Sequence, residues 1–291
     1  MFEKVSRSWE LTKQSWSVLR SDKTLVLFPV FSSIALLAVV GSFMIPATIW
    51  FTSLSAEQQE QLKEGRTSAV ALVITFGFYF VSYFVMTYFN VALVGAARER
   101  FAGRPATLSS GLGVANSRLL QILAWASLSA TVGMILRMLE ERAGLIGRIV
   151  IRLIGVAWAI GTYFVVPILA IEGLGPIDSI KRSVSLLKKS WGEAALTRLG
   201  TGAVFGLITM IVLLVSVGLV VLTAANGLVV LAIMIGAAAV ISLIAISLIG
   251  TTLQAILQVA VYNFAADGSV PAGFDANTLQ SMFQPKKKAA K

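Results

Sequence analysis

The 27 residues from Leu25 to Phe51 read LVLFPVFSSIALLAVVGSFMIPATIWF and contain no charged side chain. Roughly 20 apolar residues are enough for a helix to cross the hydrocarbon of a bilayer. Pro29 and Pro46 lie near the ends of the run, where a missing backbone N–H does least harm. The stretch therefore predicts a first membrane-spanning helix. We expect it to be retained, because the polar and amphipathic residues 1–24 precede it and a cleaved signal peptide lacks such a segment.

Five further apolar runs place the chain among integral membrane proteins. They are Ser68–Ala97, Leu119–Leu136, Leu153–Ile171, Leu199–Ala225 and Leu228–Ala266. Hydrophobic residues make up 57% of the chain and charged residues 13%, with a mean hydropathy of +0.84, which is outside the range of soluble proteins. Asn226-Gly227 predicts a tight turn between the last two runs, and the small residues of 106–117 predict a connection. The expected fold is all-α with six transmembrane helices.

A ten-residue phrase occurs twice in the chain. Residues 7–16 read RSWELTKQSW and residues 182–191 read RSVSLLKKSW, with six identical positions. Each copy precedes a long apolar run, and Ala97–Ala102 and Ala260–Ala265 share a weaker similarity at the ends of the repeated segments. The pattern predicts an internal duplication. It divides a single membrane domain, 1–291, into repeat unit one at 1–102, an inserted hairpin at 119–171, repeat unit two at 177–265 and a flexible basic tail at 267–291.

Both copies of the phrase belong to stretches with the periodicity of an amphipathic helix. Apolar or small residues recur at spacings of 3, 4, 3, 4 and 3 in each copy. In the first they are Phe2, Val5, Trp9, Thr12, Trp16 and Leu19; in the second, Ile177, Ile180, Val184, Leu187, Trp191 and Ala194. Such a helix lies along a membrane surface or packs on the rest of the same protein, and the sequence leaves both interpretations open.

The distribution of basic residues predicts the orientation of the six spans. The segments 1–24, 98–118, 172–198 and 267–291 hold 18 of the 24 Lys and Arg residues. By the positive-inside rule these segments are cytoplasmic, so both termini are cytoplasmic as well. The two interfacial helices then precede outward spans on the same side, and the duplication is parallel.

The composition also limits the chemistry that we expect. The chain contains no cysteine and no histidine, which removes thiol nucleophiles, most zinc sites and the commonest general base. We find no cluster of aspartates within the spans for metal-assisted catalysis, so the sequence predicts a protein that is not an enzyme and needs no cofactor or metal. The formal charge of +10 is expected to meet lipid headgroups and not nucleic acid, because the basic residues flank apolar spans.

The repeated phrase supplies the leading candidates for a contact surface. Arg7, Lys13, Arg182 and Lys188 carry the charge, and Trp16 and Trp191 are expected to anchor at headgroup level. These residues predict that the protein engages anionic lipid, or a partner protein, at the cytoplasmic membrane face.

Two alternative functions remain open. Asn90, Gln254 and Gln258 are polar residues within the spans and would line the path of a permease or small-solute channel; hydrogen bonds between helices explain them more simply. Gly202 and Gly206 form a small-xxx-small pair that suits a homo-oligomeric assembly module or ordinary packing. Arg148 and Arg152 share a helix face, where pairing with Glu140 or Glu141 competes with binding of a lipid phosphate.

Several motifs resemble a known family. Val166–Glu172 closes the fourth span. Ile180–Ser183 then leads into Leu187–Trp191, which ends in Ser-Trp as the phrase at residues 7–16 does. This pattern resembles an uncharacterised bacterial family of polytopic membrane proteins, the domain of unknown function 6159, over nearly the whole chain. The resemblance implies a multi-pass protein of the bacterial cytoplasmic (inner) membrane and supplies no catalytic residues.

Overall fold

The structure is a computed structural model that describes residues 2–55, 58, 69–189 and 193–281, with side chains described for 9–55, 58, 70–188 and 205–280. Within these ranges the regular structure is entirely helical. The elements are α1 (Phe2–Ser21), a 3₁₀ turn (Lys23–Val26), α2 (Leu27–Ser53), α3 (Ala69–Phe101), α4 (Leu108–Ser117), α5 (Leu119–Arg142), α6 (Leu145–Gly161), α7 (Val165–Ile171), α8 (Pro176–Lys189), α9 (Glu193–Ala225), α10 (Val229–Asp267) and α11 (Ala276–Ser281).

Within the described residues, six segments are long and apolar enough to cross a membrane, as predicted. They are Lys23–Ser53, Val70–Phe101, Leu119–Arg142, Leu145–Ile171, Phe205–Ala225 and Val229–Asp267. The chain is therefore an all-helical, multi-pass membrane protein. The predicted turn between the last two spans is also present, because Gly227 adopts a φ of +77° and Leu228 donates its N–H to the carbonyl of Thr223 at 3.0 Å.

The fourth span begins earlier than predicted and is interrupted. It starts at Leu145, stops at Gly161 and resumes as α7 at Val165. Pro167 explains the interruption, because proline lacks a backbone N–H and its ring clashes with the carbonyl four residues earlier, here that of Tyr163. The regular helix is therefore interrupted between Gly161 and Val165, ahead of the proline.

The predicted connection at 106–117 lies between the second and third spans and contains a helix, α4, that was not predicted. Gly111 and Ala115 are buried one turn apart, which is helical spacing. Gly95 makes the packing possible, since a Cβ built there would lie 2.8 Å from Cβ of Val114. Small residues here serve close contact between helices and not chain flexibility.

The contacts divide the chain into two compact units, whose bounds differ from those of the predicted repeat. The first unit comprises Met1–Pro29, Ala96–Thr107 and Ser185–Lys291. In it α1 packs on α9, on α10 and on α11. Asp22 fixes the loop after α3, because its carboxylate accepts the Ala106 N–H at 2.7 Å.

The second unit comprises Val30–Gly95 and Leu108–Val184. Aromatic pairs join its helices: Phe43 meets Phe78 edge-on at 5.6 Å, and the indoles of Trp125 and Trp158 stack at 6.0 Å between α5 and α6. These contacts combine large apolar area with a defined geometry, so they fix how neighbouring helices pack.

Candidate functional site

Helix α1 has one face buried in the first unit and one edge that is open. Leu11, Ser15 and Val18 are 1%, 0% and 4% exposed, whereas Trp9 and Trp16 are 46% and 41% exposed. The buried face is thus rotated from the predicted stripe, which placed both tryptophans at its centre. Packing on the protein accounts for one side of α1 and leaves the indoles at the edge.

Trp9, Lys13 and Trp16 form one wall of a groove, with α9 and α10 as the other walls. The groove has a volume of about 370 Å³. Its lining comprises Trp9, Thr12, Lys13, Trp16, Phe205, Ile208, Ile246, Ile249 and Leu253, all within the first unit. Nearly all of this surface is apolar, which is typical of a site that binds an apolar group.

Among the described residues that line the groove, Lys13 is the charged one. Its Nζ lies 3.7 Å from the Glu10 carboxylate, and the two side chains are 59% and 52% exposed. An exposed pair at this distance is weak, so Lys13 remains available for another anion. Two of the predicted contact residues, Lys13 and Trp16, therefore lie at one site. Trp9, which was not among the predicted contact residues, lies there too.

The second copy of the phrase makes different contacts. Lys188 is exposed and belongs to the first unit. Arg182 belongs to the second unit, where its Nε donates to the Glu172 carboxylate at 3.0 Å in a pair that is 35% and 25% exposed. The charge of Arg182 is thus engaged within the protein. The Arg7 side chain and Trp191 lie outside the described residues.

Ser183, beside Arg182, has a structural role that the sequence did not indicate. Its buried hydroxyl accepts the backbone N–H of Phe164 at 3.1 Å. Phe164 stands at the interruption between α6 and α7. The serine therefore ties α8 to the backbone at the interruption through a buried hydrogen bond.

The polar residues considered for a solute path are divided between the units. Gln254 and Gln258 lie one turn apart on α10, each half-buried, and Asn90 lies half-buried on α3 in the second unit. The groove described above does not include the two glutamines. In the described ranges no three acidic side chains come close enough to share a metal ion.

Gly206 lies on an open helix face. A Cβ built at this residue meets no described atom within 4 Å outside its own helix backbone. Ordinary packing within the described part of the chain therefore does not account for this glycine. Gly202, its predicted partner, has no described side-chain environment.

The charged residues at the junction of α5 and α6 pair locally. Nε of Arg152 lies 2.9 Å from the Glu140 carboxylate, which is one of the two pairings predicted for Arg152. Nε of Arg137 lies 2.9 Å from the Glu141 carboxylate. Arg148 instead donates from Nε to the carbonyl of Ala143 at 3.2 Å. Because the paired guanidinium and carboxylate groups neutralise one another, we assign this cluster a structural role before any role in binding lipid phosphate.

The comparison with protein families found one match. Residues 69–274 match the model described as Family of unknown function (DUF6159), a span that covers most of the chain and all helices from α3 to α10. No curated protein and no solved structure matches.

Proposed function

The chain belongs to the family of unknown function DUF6159, and from its contacts we propose a non-enzymatic membrane protein that engages anionic lipid at the cytoplasmic membrane face. The carrying observation is that α1 buries Leu11, Ser15 and Val18 but leaves Trp9 and Trp16 half-exposed on either side of Lys13. Indoles next to a basic residue suit the headgroup region, where one end of the ring is apolar and the other is wet.

The proposal includes an orientation and a location. Both termini, α1 and α8 lie on the cytoplasmic side of a bacterial inner membrane, with α1 and α8 as the interfacial helices of a parallel duplication. The surplus of Lys and Arg in the segments assigned to that side supports the orientation, and the repeated phrase supports the duplication. Arg7 and Trp191 are assigned to the same surface only because of their positions in the repeated phrase.

Lys13 and Lys188 are the residues on which this proposal depends most. Both are exposed and both belong to the first unit. A basic residue close to an anionic membrane surface contributes about 1 kcal/mol, which corresponds to about a fivefold change in binding. Arg182 contributes less to the lipid contact than it would alone, because Glu172 already accepts its hydrogen bond.

Spin-labelled phosphatidylglycerol and phosphatidylcholine with identical acyl chains, added to the protein in nanodiscs, test the proposal. We expect the wild type to immobilise phosphatidylglycerol preferentially, and Lys13→Gln with Lys188→Gln to lower that preference severalfold. Arg142→Gln with Arg148→Gln removes the same charge from the α5–α6 junction and serves as the matched control. An unchanged preference in the lysine variant, or an equal loss in the control, would contradict the proposal. If the wild type lost its preference for phosphatidylglycerol only when a protein partner was added, the protein-partner interpretation would be favoured.

A further inference from the structure

We infer that the groove between α1, α9 and α10 holds one acyl chain of an anionic phospholipid, with Lys13 contacting the headgroup phosphate; this rests on the proposed function and names its site. Three helices build the groove with residues at helical spacing. Ile246, Ile249 and Leu253 follow one face of α10, Phe205 and Ile208 follow one face of α9, and Trp9, Lys13 and Trp16 follow one face of α1.

The position of the groove along α10 places it at the boundary between hydrocarbon and headgroups. Helix α10 contains 39 residues and is about 58 Å long, whereas the hydrocarbon is about 30 Å thick. Counted from Val229, Ile246 and Leu253 lie about 26 and about 36 Å along the axis. A lipid whose chain fills the groove therefore has its headgroup at the level of the membrane surface.

Burial along α10 changes at the same position. Ile233, Ile241 and Ile244 are more than half exposed, whereas Gly250 and most residues from Thr252 to Tyr262 are buried. The N-terminal part of the helix thus faces lipid and the C-terminal part faces protein. The groove lies where these two environments meet.

Gly250 positions Phe205, one of the residues that line the groove. A Cβ built on Gly250 would lie 3.1 Å from the ring of Phe205, so the absence of a side chain lets this ring lie against α10. Apart from Thr12 and Lys13, the described lining is aromatic and branched aliphatic. In a bilayer the available apolar occupant of such a groove is an acyl chain.

The charge at the groove favours an anionic lipid over a neutral one. Lys13 is the charged lining residue, and its pair with Glu10 is long and exposed. An ammonium group acts as a point charge toward a phosphate, and Trp9 and Trp16 flank it with indole N–H donors. Acyl chain and phosphate are thus recognised by adjacent parts of one surface.

Native mass spectrometry tests the inference on the full chain released from micelles that contain equal phosphatidylglycerol and phosphatidylcholine. We expect one tightly retained phosphatidylglycerol per protein. Ile249→Trp fills the groove and should lower the 1:1 adduct at least tenfold, whereas Ile241→Trp, on the exposed part of the same helix, should not. Lys13→Gln should retain one lipid with little preference between headgroups. Absence of the adduct in the wild type, or equal loss in both tryptophan variants, would overturn the inference.

A second measurement does not depend on filling the groove. Phosphatidylglycerol brominated on its acyl chains should quench the wild-type tryptophan fluorescence more than brominated phosphatidylcholine does, and Trp9→Phe with Trp16→Phe should abolish the difference. Equal quenching by the two lipids in the wild type would overturn the inference. If Ile249→Trp loses the 1:1 lipid adduct but still prefers phosphatidylglycerol in nanodiscs, both proposals are supported. If the wild type shows that preference in nanodiscs but forms no 1:1 adduct, only the proposed function is retained.

Discussion

At the scale of single residues, Ser183 shows how one hydroxyl supports the interrupted fourth span. We predict that Ser183→Ala lowers the free energy of unfolding by about 0.5–1.5 kcal/mol, because the buried hydrogen bond from the Phe164 N–H to this hydroxyl is lost. Thermal unfolding in detergent measures the change. Ser185→Ala is the control, since Ser185 is exposed on the same helix. Equal midpoints for Ser183→Ala and the wild type would show that another acceptor serves Phe164.

Ser15 is buried too, but its substitution should have the opposite effect. It is 0% exposed, and its hydroxyl has no hydrogen-bond partner among the described residues. A buried hydroxyl without a partner costs about 1 kcal/mol or more. We therefore predict that Ser15→Ala raises the unfolding midpoint under the same conditions. A lowered midpoint would mean that the hydroxyl has a hydrogen-bond partner outside the described residues.

Gly173 is restricted both by its backbone and by a neighbour. Its φ is +68°, and a Cβ built there would lie 2.5 Å from the Arg118 guanidinium. We predict that Gly173→Ala destabilises the protein by about 1–2 kcal/mol from the backbone alone, with further loss from the displaced arginine. Gly175→Ala is the control, because a Cβ there meets nothing within 4 Å. Equal unfolding midpoints for the two variants would contradict this account.

At the scale of elements, the stability of α11 depends on a titrating side chain at its N-terminus, Asp275. The Asp275 carboxylate accepts the hydroxyl of Thr278 at 2.8 Å and its N–H at 2.7 Å, and these bonds lower the Asp275 pKa. A lowered pKa means that the contribution to stability is complete above the unfolded value of about 4 and is lost as pH falls through the folded one.

We predict that amide protection of residues 276–281 is constant down to about pH 5 and decreases below about pH 4. Hydrogen exchange corrected for the intrinsic rates measures it. Asp275→Asn retains a good N-cap without a titrating group, so its protection should not follow this acid transition. The same acid loss in the asparagine variant would show that another group titrates.

The elements themselves were predictable to the extent that their signal is local. Apolar length alone identified all six spans, because a helix in lipid needs no distant partner for its backbone. The interruption before Pro167 and the helix at Leu108–Ser117 were not predicted. The Ser183 hydroxyl accepts a backbone N–H at the interruption, and the helix packs into the space beside Gly95. Both depend on residues outside the element.

The candidate site was predictable in part for the same reason. Lys13 and Trp16 were found because the repeat singles them out. Ile246, Ile249 and Leu253 were not, because on a helix that is apolar all round nothing distinguishes a groove residue from a lipid-facing one. The side of α10 that meets α1 becomes evident only from the packing.

At the scale of the whole molecule, the exposed apolar surface of the described helices and the basic segments together predict a topology. None of the most apolar window within Phe205–Ala225 is buried, although its mean hydropathy is 2.9. Such a surface requires lipid. The four segments that carry 18 of the 24 Lys and Arg residues are separated from one another by two spans each, which is the distribution expected if every span crosses the membrane.

The absence of cysteine makes this topology directly testable, since every introduced cysteine is labelled without background. We predict that Ser55→Cys and Asn226→Cys react with an impermeant maleimide on intact bacterial cells that express the chain. Ser109→Cys, Ser185→Cys and Ser269→Cys should react only after permeabilisation, because their segments hold most of the basic residues. Labelling of all five after permeabilisation is the control for exposure. The reverse pattern on intact cells would invert the protein and remove α1 and its groove from the cytoplasmic face.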